Sequence, residues 1–496
     1  MAAPPRRARG YNDTTAAGVT DTIFAPCTGV GRAAVAIVRV SGPAAWALLA
    51  PRERGGLLAD PADPAEPTTA WQARHARVRR LVHPRTGVHL DTALVLPFAG
   101  GASYTGEPCV ELHLHGGRAV VRAVCDALAS VQGLRPAAAG EFTRRAVRNG
   151  RMDLTAAEGV ADLLNADTEA QRRQALAAAG GGAARLYDGW RREVTRCLAH
   201  LEANIEFAAD EDDCDDRLLP PLLEATRRLH AAISRHLADA HRGELVRDGV
   251  RVSIVGPPNA GKSSLLNALA RRPAAIVSDV PGTTRDIITV GLDLGGVAVS
   301  VSDTAGLRAA TTDAVEAEGM RRAVAAAREA HLRVLLFDVA TWPAACTPEM
   351  AELARMAPAL LVLNKVDDAA AAVPTAAPAA HHLADLPPPM TISCATGAGL
   401  PALEGALSAA VADLVGTGAD TSGGEASLPI TRARHRAHLT AAAGFLAEFL
   451  DGAGVDPLDM GAERLRLAAG AIGRITGTVQ VDEVLDVIFH DFCIGK

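Results

Sequence analysis

The chain has 496 residues, 49% of them hydrophobic and 22% charged, with a net charge of −7. That length predicts about two to four domains, and the acidic balance excludes a generally basic nucleic-acid coat, so any RNA contact must use local patches. Aromatic residues make up 3%, which excludes broad base-stacking platforms, and no charge-free apolar run is long enough to cross a membrane.

Residues 1–20 carry Arg6, Arg7 and Arg9 against one acid, Asp13. An organelle transit segment and a disordered tail are both open readings. Residues 21–140 alternate short β-like runs with turn signals, such as Val35 to Val40 before Ser41-Gly42 and Val110 to His115 before Gly116-Gly117. They predict a small α+β domain. Residues 141–245 lack proline until Pro220 and place Leu154, Val160, Leu163 and Leu164 at helical spacing. Residues 246–416 alternate apolar strands with helical segments, the pattern of a parallel-sheet α/β domain. The Ala/Pro-rich segment 369–389 reads as a surface loop, and the Gly/Ser/Thr-rich stretch 416–424 as a linker. Residues 417–496 return to helical periodicity. The eight cysteines show no C-x-x-C pair and no zinc-like spacing, which suggests free thiols in a reducing compartment.

Five segments inside residues 246–416 carry the chemistry. After the strand-like run Val250 to Val255 comes Gly256-Pro257-Pro258-Asn259-Ala260-Gly261-Lys262-Ser263-Ser264. A glycine-rich turn between strand and helix aims backbone N–H groups at phosphate oxygens; Lys262 adds charge at the β- and γ-phosphates, and the Ser263 hydroxyl suits Mg²⁺. Next stands Ser278-Asp279-Val280-Pro281-Gly282-Thr283-Thr284, where a threonine hydroxyl and a carbonyl can complete a metal shell. Asp303-Thr304-Ala305-Gly306 offers a carboxylate for Mg²⁺ through water and an N–H that senses the γ-phosphate. Asn364-Lys365-Val366-Asp367 supplies a carboxylate for the N1–H and amino group of guanine, which adenine cannot match. Ser393-Cys394-Ala395 can place an N–H near the guanine O6. Leu307 stands where Ras-like switches carry a water-orienting Gln, so either the hydrolytic base comes from elsewhere or hydrolysis is nearly absent; Asp313, Glu316 and Glu318 are the local carboxylates.

The flanks add Asp21-Thr22-Ile23, Gly31-Arg32, Ser103-Tyr104-Thr105-Gly106-Glu107, His115-Gly116-Gly117, Gly140-Glu141-Phe142-Thr143, Leu154-Thr155-x-x-Glu158, Ala161-Asp162-Leu163 and a terminal Phe492-Cys493-Ile494-Gly495-Lys496. With a mid-chain nucleotide switch, these resemble the tRNA-modification GTPase family called MnmE or TrmE, from about residue 21 to residue 496. The block 144–178 looks closest to the mitochondrial branch. The resemblance implies a multidomain fold: an N-terminal α+β folate-binding domain (21–140) that makes a homodimer, a discontinuous helical domain (141–245 and 417–496), and an inserted α/β P-loop GTPase domain (246–416).

It also implies a flavin-dependent partner of the MnmG or GidA family, and tRNA as substrate. Together they add an aminomethyl-type group, taurinomethyl or carboxymethylaminomethyl, to carbon 5 of the wobble uridine from a tetrahydrofolate one-carbon donor. By the same resemblance, Asn259, Ser278, Val280 and Thr283 match a potassium shell, Thr284 the Mg²⁺-linked threonine, and Glu316 the catalytic glutamate that orients water. Arg39, Glu111, Arg151 and Lys496 match the folate pocket, for a 5-formyl or methylene derivative. Cys493 is open between one-carbon chemistry and docking of the tail. The acidic run 210–216 reads as a solvated loop or a contact for a basic partner. An Era-like ribosome-assembly GTPase is the alternative; it predicts a basic RNA-binding module after the switch domain, and none is evident.

Overall fold

The computed structural model describes residues 21–29, 31–52, 55–59, 71–208, 219–239, 241–271, 275–276, 289–303, 325, 327–356, 358–367, 386–416, 428–453, 455–478 and 495. The chain divides into two compact units, residues 1–157 with 480–496, and residues 158–479.

The first unit is built on a six-stranded sheet of order β3-β4-β5-β2-β1-β6. Its strands are β1 (Thr22–Pro26), β2 (Val35–Ser41), β3 (Arg77–Val82), β4 (His89–Phe98), β5 (Cys109–His115) and β6 (Leu134–Pro136). All pairs are antiparallel except β1 with β6. Alternation decides the faces: Val38, Val40, Val95, Leu112 and Leu114 point into one core, which Val124 and Leu128 of α1 (Arg118–Ala129) close. Residues at the intervening positions, including Arg39 and Glu111, lie on the opposite face. Helix α2 (Glu141–Arg148) packs Phe142 against Ile23 and Ala25. Its buried Arg145 is held by Asp21 at 2.9 Å, Glu141 at 2.9 Å and Glu107 at 3.2 Å.

In the second unit a seven-stranded sheet has order β13-β12-β11-β7-β10-β9-β8. Strands β7 (Val250–Val255), β10 (Val297–Asp303), β11 (Leu332–Asp338), β12 (Ala359–Asn364) and β13 (Pro389–Thr391) run parallel, while β8 (Ala275–Ile276) and β9 (Thr289–Leu294) complete an antiparallel edge. The expected loop 369–389 therefore ends in a strand, since Pro389 starts β13. An edge tolerates it, because a proline there costs no ladder hydrogen bond. Strands β7, β11 and β12 are near-continuous apolar runs, as burial on both faces demands. Val252, Ile254 and Leu336 meet α8 (Lys262–Ala270) and α10 (Leu400–Val415) on one face. Phe337, Leu361 and Leu363 meet α9 (Pro348–Met356) on the other.

A helical bundle accompanies this sheet, drawn from both sides of it in sequence. Helices α5 (Gly182–Ala208) and α6 (Leu219–Leu237) precede the sheet, and α11 (Ala433–Asp451) and α12 (Leu458–Thr476) follow it. Val194, Leu201, Leu229, Ile233, Leu439, Leu446, Leu465 and Ile472 form their common core. Each such side chain contributes about 1.5–3 kcal/mol when fully buried, so neither half is a stable bundle without the other. Helices α3 (Leu154–Leu164), α4 (Glu169–Ala179) and α7 (Arg242–Asp248) link bundle and sheet. The Ala170 N–H donates to the Gly296 carbonyl in the β9–β10 turn at 3.1 Å.

Candidate functional site

The loop between β7 and α8 is formed by residues chosen for backbone shape. Asn259 has φ +62° and Gly261 φ +99°, a left-handed region that asparagine tolerates and glycine favours. A Cβ on Gly261 would also stand 2.2 Å from the Asn364 amide nitrogen. Lys262 is buried and donates to the carbonyls of Gly256 at 3.1 Å and Pro257 at 2.9 Å, which curls its side chain back over the loop. Ser263 and Ser264 are exposed at the first turn of α8, where the helix dipole favours an anion. The oxygens of Ser263 and Asn259 are hard donors, so the described part of the site fits Mg²⁺ and an alkali cation.

Asn364 ends β12 and joins two loops. Its Nδ2 donates to the Ala260 carbonyl at 2.9 Å, and its Oδ1 accepts from the Cys394 N–H at 3.1 Å. Asn364 is thus a brace between the phosphate loop and the 393–395 turn. Lys365, at φ +66°, pairs with Asp338 at 2.8 Å. Burial pushes the Asp338 carboxyl up, but Lys365 and the Ala340 N–H outweigh it and hold it below the usual range. Asp367 is exposed, and among the described residues no cation pairs with it. Burial, then the Asp367 charge, raises the Cys394 thiol. The Ser393 hydroxyl caps the turn by accepting from the Thr396 N–H at 3.1 Å. Asp303 ends β10 beside Ile254; its side chain lies outside the described residues. So do Ser278, Asp279, Val280, Pro281, Gly282, Thr283, Thr284, Thr304, Ala305, Gly306, Leu307, Asp313, Glu316 and Glu318, and also residues 1–20, 210–216 and 417–427.

A second polar centre sits on the other face of the first sheet, beside α2. Arg39 on β2 faces Glu111 on β5, with Nε 3.0 Å and Nη2 2.9 Å from the same carboxylate oxygen. The guanidinium stacks on Tyr104 at 4.9 Å and Phe142 at 5.7 Å, a desolvated cation–π arrangement. Burial lowers its proton affinity, but the neighbouring Cys27 and Glu111 outweigh that and raise it. Arg39 Nη1 is buried without a hydrogen-bond partner among the described residues, and so is His113 Nε2, two positions along β5 from Glu111. A buried orphan donor is costly; a ligand with acceptor atoms would satisfy it. Arg151 is exposed, with its stem against Gly106. Gly495, at φ +104°, accepts a hydrogen bond from the Cys27 thiol at 3.0 Å. Its Cα lies so close to the Pro26 carbonyl that an added Cβ would stand 2.0 Å from that oxygen. The tail therefore ends beside the strand that leads to Arg39. Cys493 and Lys496 lie outside the described residues.

His113, Tyr104 and Phe142 were not singled out as site residues by sequence. Alternation from Glu111 along β5 was the available signal for His113. Among the described residues no group of His, Cys, Asp and Glu could hold a metal ion, no cysteine is in a disulfide, and no helix is long and apolar enough to cross a membrane.

Both centres lie in regions that family models match. The MnmE helical domain model matches residues 154–493, and the model for the GTP-binding protein TrmE N-terminus matches residues 22–151. The mitochondrial 5-taurinomethyluridine-tRNA synthase subunit GTPB3 of Homo sapiens is 44% identical over 99% of this chain and 97% of its own. The tRNA modification GTPase MnmE of Rhodospirillum rubrum is 49% identical over 96% of this chain and 99% of its own. A solved structure of Aquifex aeolicus Era overlaps 39% of this chain and 66% of its own, at 21% identity and a TM-score of 0.25. Similarity carried almost end to end, through both units, leaves one assignment: this chain belongs to the MnmE (TrmE) family of tRNA-modification GTPases.

Proposed function

We propose that this GTPase, with a flavin-dependent partner of the MnmG or GidA family, installs an aminomethyl-type group on carbon 5 of the wobble uridine of tRNA. The observation that carries the reading is the pairing of two centres in one chain: a guanine-nucleotide loop braced by Asn364 and an Arg39–Glu111 centre with an unsatisfied donor. Arg39, Glu111, Arg151 and Lys496 would hold a tetrahydrofolate derivative. Glu111 suits an amino-pyrimidine edge, and the cations suit its carboxylate tail. The folate would supply the one-carbon unit. Cys493 would serve the same centre; the contact of Gly495, two residues on, with Cys27 supports that reading.

At the other centre Lys262 neutralises phosphate charge, Asp367 selects guanine, and Ser263 and Thr284 hold Mg²⁺. Asn259, Ser278, Val280 and Thr283 would hold K⁺, which stabilises transition-state charge as an arginine finger does. Glu316 orients water in place of the glutamine that Leu307 displaces. A homodimer through the first unit completes the reading. The Era-like alternative is not favoured, since relatives bearing tRNA-modification names match nearly the whole chain. Mitochondrial and bacterial relatives are similar to comparable degrees; a mitochondrial site of action is proposed, with a bacterial or other organellar compartment as its alternative.

Nucleoside mass spectrometry tests the reading. Organellar and cytosolic tRNA would be compared from cells with the protein, without it, and with Lys262→Ala restored. Loss of a 5-aminomethyl-type uridine from organellar tRNA, without rescue by the variant, is expected. Unchanged wobble uridines together with defective ribosomal subunits would overturn it.

A further inference from the structure

One segment of the first unit runs against the acidic balance of the chain. Residues 71–90 contain five arginines and three histidines and no aspartate or glutamate, in a protein of net charge −7. This segment forms the outer strand β3 and its two flanks, at the edge of the sheet. The outer side of β3 is bridged by Leu58 at Leu81, and the Ala59 N–H donates to the Arg80 carbonyl at 2.9 Å. Arg74 and Arg80 are exposed and Arg77 is half-buried. Among the described residues no carboxylate lies within ion-pair distance of these three. Arg77 and Arg79 stack on Trp71, at 5.3 and 5.8 Å from the ring. Trp71 is itself anchored, its indole N–H donating to the Leu49 carbonyl at 3.2 Å while the ring covers the core.

We infer that this arginine-bearing edge is where the first unit grips the phosphate backbone of RNA; the inference rests on the reading of tRNA as substrate. Stacking on Trp71 limits the rotamers of Arg77 and Arg79, so less entropy is lost when their guanidiniums bind. The forked guanidinium matches a phosphate in two hydrogen bonds. Strand rise sets the reach: Arg77 and Arg79 lie about 6.6 Å apart on one face, close to the spacing of successive phosphates in a nucleic-acid strand. An acidic protein needs such a local patch, because its overall field repels RNA.

Fluorescence anisotropy of the full-length protein with a wobble-uridine tRNA transcript, across a range of KCl, tests the inference. Arg74→Ala/Arg77→Ala/Arg80→Ala should raise the Kd at least about tenfold and flatten the slope of log Kd against log salt by about 2 to 3, one phosphate per arginine. Arg74→Ala/Arg80→Ala leaves the Trp71 stack intact and guards against misfolding; it should flatten the slope by about 1 to 2. Arg74→Lys/Arg80→Lys should keep the wild-type slope. GTP hydrolysis without RNA should be unchanged throughout. Unchanged Kd and slope would overturn the inference and leave the arginines as guards against edge-to-edge strand pairing. Loss of affinity together with loss of the dimer would also overturn it, in favour of a contact between copies. If the wild-type protein does not bind tRNA at any salt, the substrate reading itself fails.

Discussion

Lys262 and Arg39 are the cations on which the two centres turn, and their surroundings predict different losses. Lys262 is buried against carbonyls of its own loop, which holds its charge at the loop proposed to take the phosphates. Lys262→Ala should lower kcat for GTP hydrolysis about 100- to 1,000-fold, read by phosphate release, with the melting temperature of the free protein little changed. Arg39→Ala leaves Glu111 without its partner and removes the orphan donor. It should abolish binding of 5-formyltetrahydrofolate by calorimetry, with GTP hydrolysis intact; wild-type folate affinity in that variant would remove Arg39 from the site. The glycines and Lys262 of the phosphate loop were legible in sequence because a sharp turn between strand and helix admits few residue types. The role of Asn364 was only half legible. Guanine selection attaches to its motif, but its contact with Ala260, 104 residues earlier, is a fact of three dimensions.

At the scale of elements, helices α3, α7 and α11 are joined by buried charge. Glu158 on α3 accepts from His435 at 2.8 Å and Arg434 at 3.1 Å, and Asp162 pairs with Arg247 at 3.0 Å and Arg432 at 2.7 Å. Burial pushes the Glu158 carboxyl up; His435, Arg434 and Arg432 outweigh it and hold it at about 2. A depressed carboxyl contributes stability above its unfolded value that is lost as pH falls through the folded one. Against the ordinary glutamate value of 4.5 this is about 3 kcal/mol, withdrawn between about pH 5 and pH 2. Glu158→Ala should cost about 3–5 kcal/mol by leaving buried cations unpaired, and denaturant melts over that pH range should show a smaller acid-dependent loss than in the wild type. An unchanged acid dependence would refute the pairing. Glu158 appeared in sequence only as part of a motif, since its partners lie 276 and 277 residues away. Strands β7, β10 and β12 were legible for the opposite reason: a short apolar run between turn residues carries its own signal.

For the whole molecule, the proposed function joins a nucleotide switch to a folate centre and a tRNA. If K⁺ held by Asn259 and an ordered switch loop supplies transition-state charge, hydrolysis should be several-fold faster in potassium than in sodium and should rise with protein concentration. Equal rates in both salts at all concentrations would remove that part. The discontinuous bundle was legible as two helical stretches flanking an α/β pattern. That they share one core came from the resemblance and not from the pattern, because Leu201 and Leu465 stand on opposite sides of the α/β segment in sequence. The central claim is tested most directly by label transfer. The purified protein, a flavoprotein partner, GTP, the amine and an unmodified tRNA would be incubated with methylene-labelled tetrahydrofolate, and the wobble nucleoside isolated. The account predicts label in the methylene group attached to carbon 5 of that uridine, dependent on GTP and lost in both Lys262→Ala and Arg39→Ala. Label that appears without GTP, or that survives both substitutions, would contradict it.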